Sequence, residues 1–321
     1  AHPRHNLETY KYKMPDQEET AKSTLRLSDM EKEDGQAYDV QAFTNQTISI
    51  KQEIKTHKQK IEDYVSRTWL SKKSEKLYFS RHSRDLHKKD ICELNLETGD
   101  VKVLIEERLN TYIEAIDHGR FHMIGDGKEF IHWSERDGWA HFYLYDGNGN
   151  MKKQITSGPW HAEKILKIDE KNRVMYFIGK GYENNENPYY SHLYRINLDG
   201  TGMKLLNKGN FDHLSEMSDS YEYFVDNYSR VNTVPRSVIR NNKGEVVMDL
   251  ETADLSNLFA AGYKFPKPFK VKADDGVTDI YGVMYKPFEL DTTKKYPILE
   301  YVYPGPQTEA VNTSFSSRMD R

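Results

Sequence analysis

Apolar and polar residues alternate along most of the chain in short runs, and glycine-containing turns separate the runs. Alternation with a period of two predicts half-buried β-strands, because successive side chains of a strand point to opposite faces. The runs recur as a unit made of an aromatic-rich strand, a loop, a second alternating strand, a turn and a third strand. A repeat of this kind decides the fold class.

The unit occurs four times, and each copy has its hairpin turn between the second and third strands. Glycine suits these turns because tight β-connections require positive φ. The turns centre on Gly99, Gly149, Gly200 and Gly244. The strands of the four copies are KLYFSR (76–81), ICELNL (91–96) and VKVLI (101–105); EFIHWSER (129–136), HFYLY (141–145) and MKKQIT (151–156); VMYFIGK (174–180), HLYRINL (192–198) and MKLL (203–206); and YEYFVDNYS (221–229), RSVIR (236–240) and EVVMDL (245–250).

The four turn glycines are 50, 51 and 44 residues apart. A period in this range predicts β-propeller blades of four strands each, with room for one more strand ahead of each copy. VSRTWL (65–70) and KILKID (164–169) are candidates for that innermost strand. Three earlier runs resemble one further blade, so we expect about five blades: LETYKYKM (7–14), STLRLSDM (23–30) and AYDVQAF (37–43). A complete small propeller is the alternative to a partial one.

The pattern changes after the fourth copy. Residues 251–268 carry a short helical stretch followed by two prolines, which stop both helices and strand pairing. Two alternating strands then flank a hairpin turn at 274–276, and YPILEYVY (296–303) predicts a buried strand that ends at a Pro-Gly-Pro turn. The fold class is therefore mainly β: blades of a partial propeller over residues 1–262, and the opening strands of an α/β domain over residues 263–321.

Composition excludes several kinds of partner. The 46 basic and 50 acidic residues are intermixed with a net charge of −4, so no single-sign field exists to attract nucleic acid. No apolar run is long enough to cross a bilayer. The one cysteine, Cys92, lies in the apolar phase of a strand and is expected to be a packed thiol without chemistry. His141 alternates with aromatic residues, which indicates a structural, hydrogen-bonded role.

Three motifs carry a resemblance to a known family. YPILEYVYPGPQ (296–307) resembles the first long strand of the hydrolase domain in the prolyl oligopeptidase family, dipeptidyl peptidase IV subfamily. SERDGWAHFYLYD (134–146) is similar to a propeller motif of that subfamily, and residues 272–287 are similar to its linker hairpin. The resemblance covers residues 65–321, and a proline at position 304 points to a bacterial-type branch.

The resemblance implies an eight-bladed propeller with an α/β-hydrolase domain that releases dipeptides from the amino terminus of peptides by acyl-enzyme chemistry. It places Tyr303 as the catalytic residue whose hydroxyl donates to the oxyanion of the tetrahedral intermediate, where a preorganised donor is most effective. Taken without the resemblance, Tyr303 is a tyrosine packed at a strand end. The implied partner is a peptide substrate, with no cofactor. A homodimer and a periplasmic or exported location are compatible with the resemblance.

Most catalytic residues of such an enzyme are absent from these 321 residues. A serine α/β-hydrolase needs a G-x-S-x-G motif followed by an acid and a histidine, and that motif does not occur. The serines of TSFSSR (313–318) lack flanking glycines and are expected in a solvated loop. No H-E-x-x-H motif is present and one cysteine cannot build a zinc cluster, so no metal site is predicted. The acidic pairs 18–19 and 106–107 lack the family context and are assigned no role, which leaves the substrate-binding residues unknown.

The sequence is therefore compatible with two functions. One is a fragment of a serine-type dipeptidyl peptidase, inactive alone because its triad is missing. The other is a non-catalytic β-propeller module that binds peptide or protein, with the C-terminal strands as a docking appendage. A glycine-flanked serine beyond Arg321 would distinguish the enzyme from the binding module.

Overall fold

The computed structural model describes residues 24–28, 35–51, 75–114, 120–303 and 310–317. The chain divides into two compact units, Ala1–Ala115 and Ile116–Arg321. Each unit is built from antiparallel sheets whose strands follow one another in chain order. This order is what short hairpin connections produce.

The first unit contains a two-stranded and a four-stranded sheet. Strands β1 (Leu25–Ser28) and β2 (Gly35–Tyr38) pair with each other. The first four-stranded sheet, called here the first sheet, consists of β3 (Thr47–Ile50), β4 (Lys76–His82), β5 (Lys88–Asn95) and β6 (Val101–Arg108). Its apolar face buries Phe79, Cys92 and Leu94 together with Tyr38.

The second unit contains three further four-stranded sheets. The second sheet consists of β7 (Phe121–Ile124), β8 (Glu129–Ser134), β9 (His141–Asp146) and β10 (Met151–Gln154); the third of β11 (His161–Asp169), β12 (Val174–Lys180), β13 (Ser191–Asn197) and β14 (Lys204–Leu205); and the fourth of β15 (Asp212–Met217), β16 (Tyr223–Ser229), β17 (Arg236–Asn241) and β18 (Val246–Thr252). The four-stranded sheet predicted for each copy of the sequence repeat is therefore confirmed in all four copies.

The hairpin turns between the third and fourth strands form where the glycines predict them. The φ angles of Gly99, Gly149, Gly200 and Gly244 are +80°, +91°, +82° and +90°. At Gly244 no other residue fits, because a Cβ there would lie 2.3 Å from the carbonyl oxygen of Leu206. The turn chemistry thus fixes the register of the outer strands.

Aromatic and aliphatic side chains fill the space between neighbouring sheets of the second unit. Phe142 of the second sheet meets Phe177 of the third edge-on, with ring centroids 5.9 Å apart. Tyr176 of the third sheet stacks on Tyr221, in the turn between β15 and β16 of the fourth sheet, with ring centroids 6.3 Å apart and an interplanar angle of 8°. Because each sheet buries one face against the next, the core is a series of layers between sheets.

A short connection leads from the fourth sheet to a separate hairpin. Helix α1 (Ser256–Ala260) confirms the predicted helical stretch. Strands β19 (Lys267–Lys272) and β20 (Asp279–Met284) pair around the predicted turn, in which Gly276 has a φ of +68°. β19 is exposed throughout, whereas most residues of β20 are partly buried.

The predicted innermost strands and the predicted fifth blade have different outcomes in the structure. KILKID lies within β11, as predicted for an innermost strand. VSRTWL (65–70) and LETYKYKM (7–14) lie outside the described residues, and Thr47–Ile50 pairs with β4 in the place expected for VSRTWL. β1 and β2 form where the fifth blade was predicted.

The buried strand predicted over residues 296–303 is wrong for the structure. These residues carry no regular secondary structure. Ile298 is 87% and Leu299 96% exposed. A strand exists only through hydrogen bonds to a neighbour, and none of the described strands pairs with this segment. The apolar pattern is present without the partner that would bury it.

Candidate functional site

Tyr303, the residue predicted to act in catalysis, lies at the end of the exposed segment 296–303. Its side chain is 56% exposed, and its ring meets that of Tyr301 edge-on at 6.0 Å. The serines predicted to lie in a solvated loop follow it in an irregular segment, in which Ser314 and Ser317 are exposed and Ser316 is partly buried.

A shallow cleft lies where the β19–β20 hairpin meets the loops of the third and fourth sheets. The loop between β12 and β13 contributes Asn187 and Tyr190, the loop after β16 contributes Val231, and the hairpin contributes Phe269 and Tyr281. Residues 311–313 close its remaining side. Four segments distant in sequence thus converge here, and Tyr303 is not among the lining residues.

The loop between β12 and β13, which forms one wall of this cleft, is held by carboxylates. Glu183 accepts a hydrogen bond from the Tyr194 hydroxyl at 3.0 Å. Glu186 is hydrogen-bonded to the ring of His192 at 2.9 Å. Tyr194 and His192 are both buried and lie two residues apart in β13, so they share one face of the strand. The loop is therefore anchored to the third sheet at two points.

The fourth sheet carries a buried carboxylate that links three of its strands. Asp226 of β16 is fully buried and lies 3.0 Å from Nδ1 of His213 in β15 and 2.8 Å from Nε of Arg240 in β17. Burial alone would raise the pKa of Asp226, but the hydrogen bonds and charges of His213 and Arg240 outweigh it and lower that pKa. Its partners explain its burial, so this cluster is structural.

His141 has the structural role that its position in a strand predicts. Its Nδ1 lies 3.1 Å from the Thr156 hydroxyl and its Nε2 lies 2.8 Å from the Gly158 carbonyl oxygen. Its ring meets that of Trp160 edge-on at 5.1 Å. Burial lowers the pKa of His141, which favours the neutral ring at pH 7.

Cys92 is confirmed as a packed thiol. It is fully buried in the first sheet, and burial raises its pKa to about 12. A thiol with so high a pKa is a poor nucleophile at neutral pH. Within the described ranges no group of three or more metal-ligating side chains is found, and no helix there is long and apolar enough to span a membrane.

A series of antiparallel four-stranded sheets, each buried against the next within the second unit, is the architecture of a β-propeller fragment. The chain belongs to the family described as the dipeptidyl peptidase IV (DPP IV) N-terminal region, whose model matches residues 5–235. The family predicted from the three sequence motifs is thereby confirmed.

Two curated relatives are similar to this chain over most of its length. The chain is 28% identical over 260 residues to dipeptidyl peptidase 4 of Trichophyton equinum and to a probable dipeptidyl peptidase 4 of Arthroderma benhamiae, an alignment that covers 78% of this chain. It spans about a third of the length of these curated relatives, 32% in each case.

Two solved structures share the fold. The crystal structure of Porphyromonas gingivalis dipeptidyl peptidase 4 superposes with a TM-score of 0.71 at 20% identity, covering 91% of this chain and 38% of that one. A putative dipeptidyl aminopeptidase IV from Bacteroides ovatus gives a TM-score of 0.70 at 23% identity, covering 91% and 41%.

Proposed function

We propose that this chain is the propeller and the opening of the catalytic domain of a serine exopeptidase, which releases dipeptides from the amino terminus of peptide substrates. Membership of the dipeptidyl peptidase IV family supports a peptidase as the parent protein. The names of the curated relatives support the same class of activity.

The observation that carries the proposal is the sequence Val302-Tyr303-Pro304-Gly305, which follows a linker hairpin and ends an apolar, strand-like run. In this interpretation Tyr303 donates its hydroxyl to the oxyanion that forms when a serine attacks the scissile carbonyl. A neutral phenol is suited to this task because it donates a hydrogen bond without introducing a charge into the ground state.

The nucleophile, acid and histidine of the triad lie beyond residue 321 in this proposal, since the G-x-S-x-G motif does not occur in the chain. The propeller supplies a rigid platform, and the hairpin β19–β20 connects it to the catalytic domain. No step of the reaction requires a cofactor, because serine acyl transfer proceeds through side chains alone.

Replacing Tyr303 by phenylalanine in the full-length enzyme tests the proposal. The substitution removes one hydroxyl and keeps the ring. We expect kcat to fall by roughly 10² to 10³ while KM stays within a few-fold, because the hydrogen bond strengthens mainly as charge develops in the transition state. The measurement is steady-state hydrolysis of a dipeptide amide.

Tyr301→Phe provides the matched control, because it removes a hydroxyl from the same segment and from a side chain that is 60% exposed. This variant should keep the wild-type kcat. An unchanged kcat in a folded Tyr303→Phe enzyme would show that Tyr303 is structural, and a rise in KM alone would indicate ground-state binding.

The isolated chain gives a second test. Because it lacks a nucleophile elbow, the purified 321-residue chain should neither hydrolyse dipeptide amides nor react with a fluorophosphonate probe. Stoichiometric labelling by the probe would contradict the assignment of the triad to later residues. Peptide binding by a parent protein that never hydrolyses the peptide would favour the non-catalytic propeller module instead.

A further inference from the structure

Residues 312–315 return to the fourth sheet and bond to one end of it. The Thr313 hydroxyl donates to Oδ2 of Asp212 at 2.5 Å, and the Phe315 backbone N–H donates to the Ser229 hydroxyl at 3.0 Å. Asp212 and Ser229 are opposite each other in the register of β15 and β16. One cross-strand pair therefore accepts both hydrogen bonds. Asp212, Ser229, Thr313 and Phe315 are together called here the clasp.

The clasp is tied into its surroundings on the propeller side. The second carboxylate oxygen of Asp212 accepts a hydrogen bond at 2.9 Å from the backbone N–H of Ser191, the first residue of β13. Asp212 thus joins the third sheet, the fourth sheet and the C-terminal segment through one side chain. Its hydrogen bond with Thr313 is charge-assisted, which is the stronger kind.

Aromatic packing holds the same segment against the linker. The Phe315 ring meets those of Tyr263 and Phe265 edge-on, at 6.3 Å and 6.1 Å. Asn312 donates to the hydroxyl of Tyr285, which follows β20, at 3.2 Å. The segment is thus fixed to the propeller, the linker and the hairpin together.

We propose that Asp212 and Ser229 of the propeller are positioning residues for the oxyanion tyrosine. Thr313 lies ten residues after Tyr303 in the sequence, and Tyr285 lies before it. The clasp fixes Thr313 and Phe315, which follow Tyr303 in the sequence, on the fourth sheet, and Asn312 bonds to Tyr285, which precedes it. This inference rests on the proposed function of Tyr303. It assigns to the last propeller sheet a part in catalysis that involves no contact with substrate.

The physical basis is the sensitivity of catalysis to placement. An oxyanion donor is effective only within hydrogen-bond distance of the developing charge, and a misplacement of about 1 Å can lower the rate by ~10²-fold. Loosening the clasp should therefore lower kcat by less than loss of the hydroxyl itself does. A loss of about 10-fold is the expected size.

The test is a double-mutant cycle in the full-length enzyme that combines Thr313→Val with Tyr303→Phe. Valine keeps the shape of threonine and removes the donor. We expect Thr313→Val to lower kcat about 10-fold with KM within about two-fold, and to have less than about a two-fold effect in the Tyr303→Phe background, because the hydroxyl to be positioned is then absent. Thr313→Ser should restore most of kcat, and Ser314→Ala, at the exposed neighbouring residue, should change nothing.

The outcomes separate the two proposals. If Tyr303→Phe lowers kcat and Thr313→Val does not, the clasp plays no part in positioning and the role of Tyr303 stands. Equal effects of Thr313→Val in both backgrounds would show that the clasp only stabilises the fold. If Tyr303→Phe has no effect, both proposals fall.

Ser229→Ala provides an independent variant if Thr313→Val folds poorly. This substitution removes the Ser229 hydroxyl, which accepts the hydrogen bond of the Phe315 amide, and Ser229 belongs to β16 of the fourth sheet. Hydrogen exchange of the Phe315 amide should become faster in this variant, and kcat should fall with the same dependence on the Tyr303 hydroxyl. Faster exchange with an unchanged kcat would overturn the inference.

Discussion

The sheets of residues 120–252 and the segment 296–303 have similar apolar patterns and opposite environments. In the sheets, aromatic residues such as Phe142 and Phe177 are completely buried. In the segment, Leu299 is 96% exposed. Both regions contain strand-forming residues, so local propensity does not explain the difference.

The two regions differ in whether a neighbouring strand is available to pair with them. Within residues 120–252 each strand follows its partner after no more than ten residues, and neighbouring sheets bury each other's apolar faces. None of the described strands pairs with residues 296–303. A repeat thus brings its own partners, whereas a strand of a mixed α/β sheet depends on elements far away in sequence. Three pairs of substitutions can break or sharpen this comparison.

The largest effect is expected in the layer between the second and third sheets. Phe142→Ala should lower the free energy of unfolding by about 3–5 kcal/mol, because it leaves a cavity facing Phe177. Leu299→Ala should leave that free energy within about 0.5 kcal/mol of the wild type, since the side chain is almost fully exposed. Urea unfolding of both variants measures the difference. Similar losses in both would mean that residues 296–303 are covered in solution.

An intermediate effect is expected at two turn glycines. Gly244→Ala should cost about 3 kcal/mol, because the residue has positive φ and the added Cβ would meet the Leu206 carbonyl oxygen. Gly276→Ala has the same conformational strain but no atom within 4 Å of the new Cβ, so it should cost only about 1 kcal/mol. Thermal unfolding compares the two. Equal costs would show that the approach to Leu206 relaxes freely.

The smallest effect is expected at Glu163, a carboxylate on β11 of the third sheet. Glu163 lies 2.9 Å from the ring of His161 and 3.3 Å from Arg120. The hydrogen bond from His161, together with the charges of Lys180 and Arg120, lowers its pKa from 4.5 to about 2 against the opposing effect of burial. Since the folded state has the lower pKa, the stabilisation is complete above about pH 4.5 and is lost as the pH falls towards 2.

Glu163→Gln should therefore remove about 1 kcal/mol at pH 7, a value reduced by solvent because the side chain is 28% exposed. The difference from wild type should shrink between pH 4.5 and 2. Unfolding by urea at several pH values measures it, with Glu216→Gln, an exposed carboxylate on β15, as the control. A difference that does not depend on pH would exclude the carboxylate charge as its cause.

The propeller sheets could be predicted from the sequence because their determinants are local. Alternation specifies each strand, and a glycine with positive φ specifies each turn, as at Gly149 and Gly200. The innermost strand of the first sheet could not be predicted in the same way. Thr47–Ile50 pairs with β4 although 25 residues separate them, and no turn motif joins the two.

The candidate site was only partly accessible from the sequence. Tyr303 could be singled out because a motif surrounds it. Asp212 and Ser229 have no such signal, since their partners lie 101 and 86 residues away and the bonds depend on how the segment folds back. Pairing at that distance is a property of the tertiary fold, which a pattern of single residues does not contain.

The separation of Asp212 from Thr313 has a consequence for the order of events during synthesis. A ribosome that adds roughly 5–20 residues per second needs on the order of 5–20 s to make the 101 residues between them. A β-hairpin forms in about 1–10 μs. The fourth sheet has therefore had ample time to form before its last partner leaves the ribosome, and residues 312–315 dock onto a surface that is already in place.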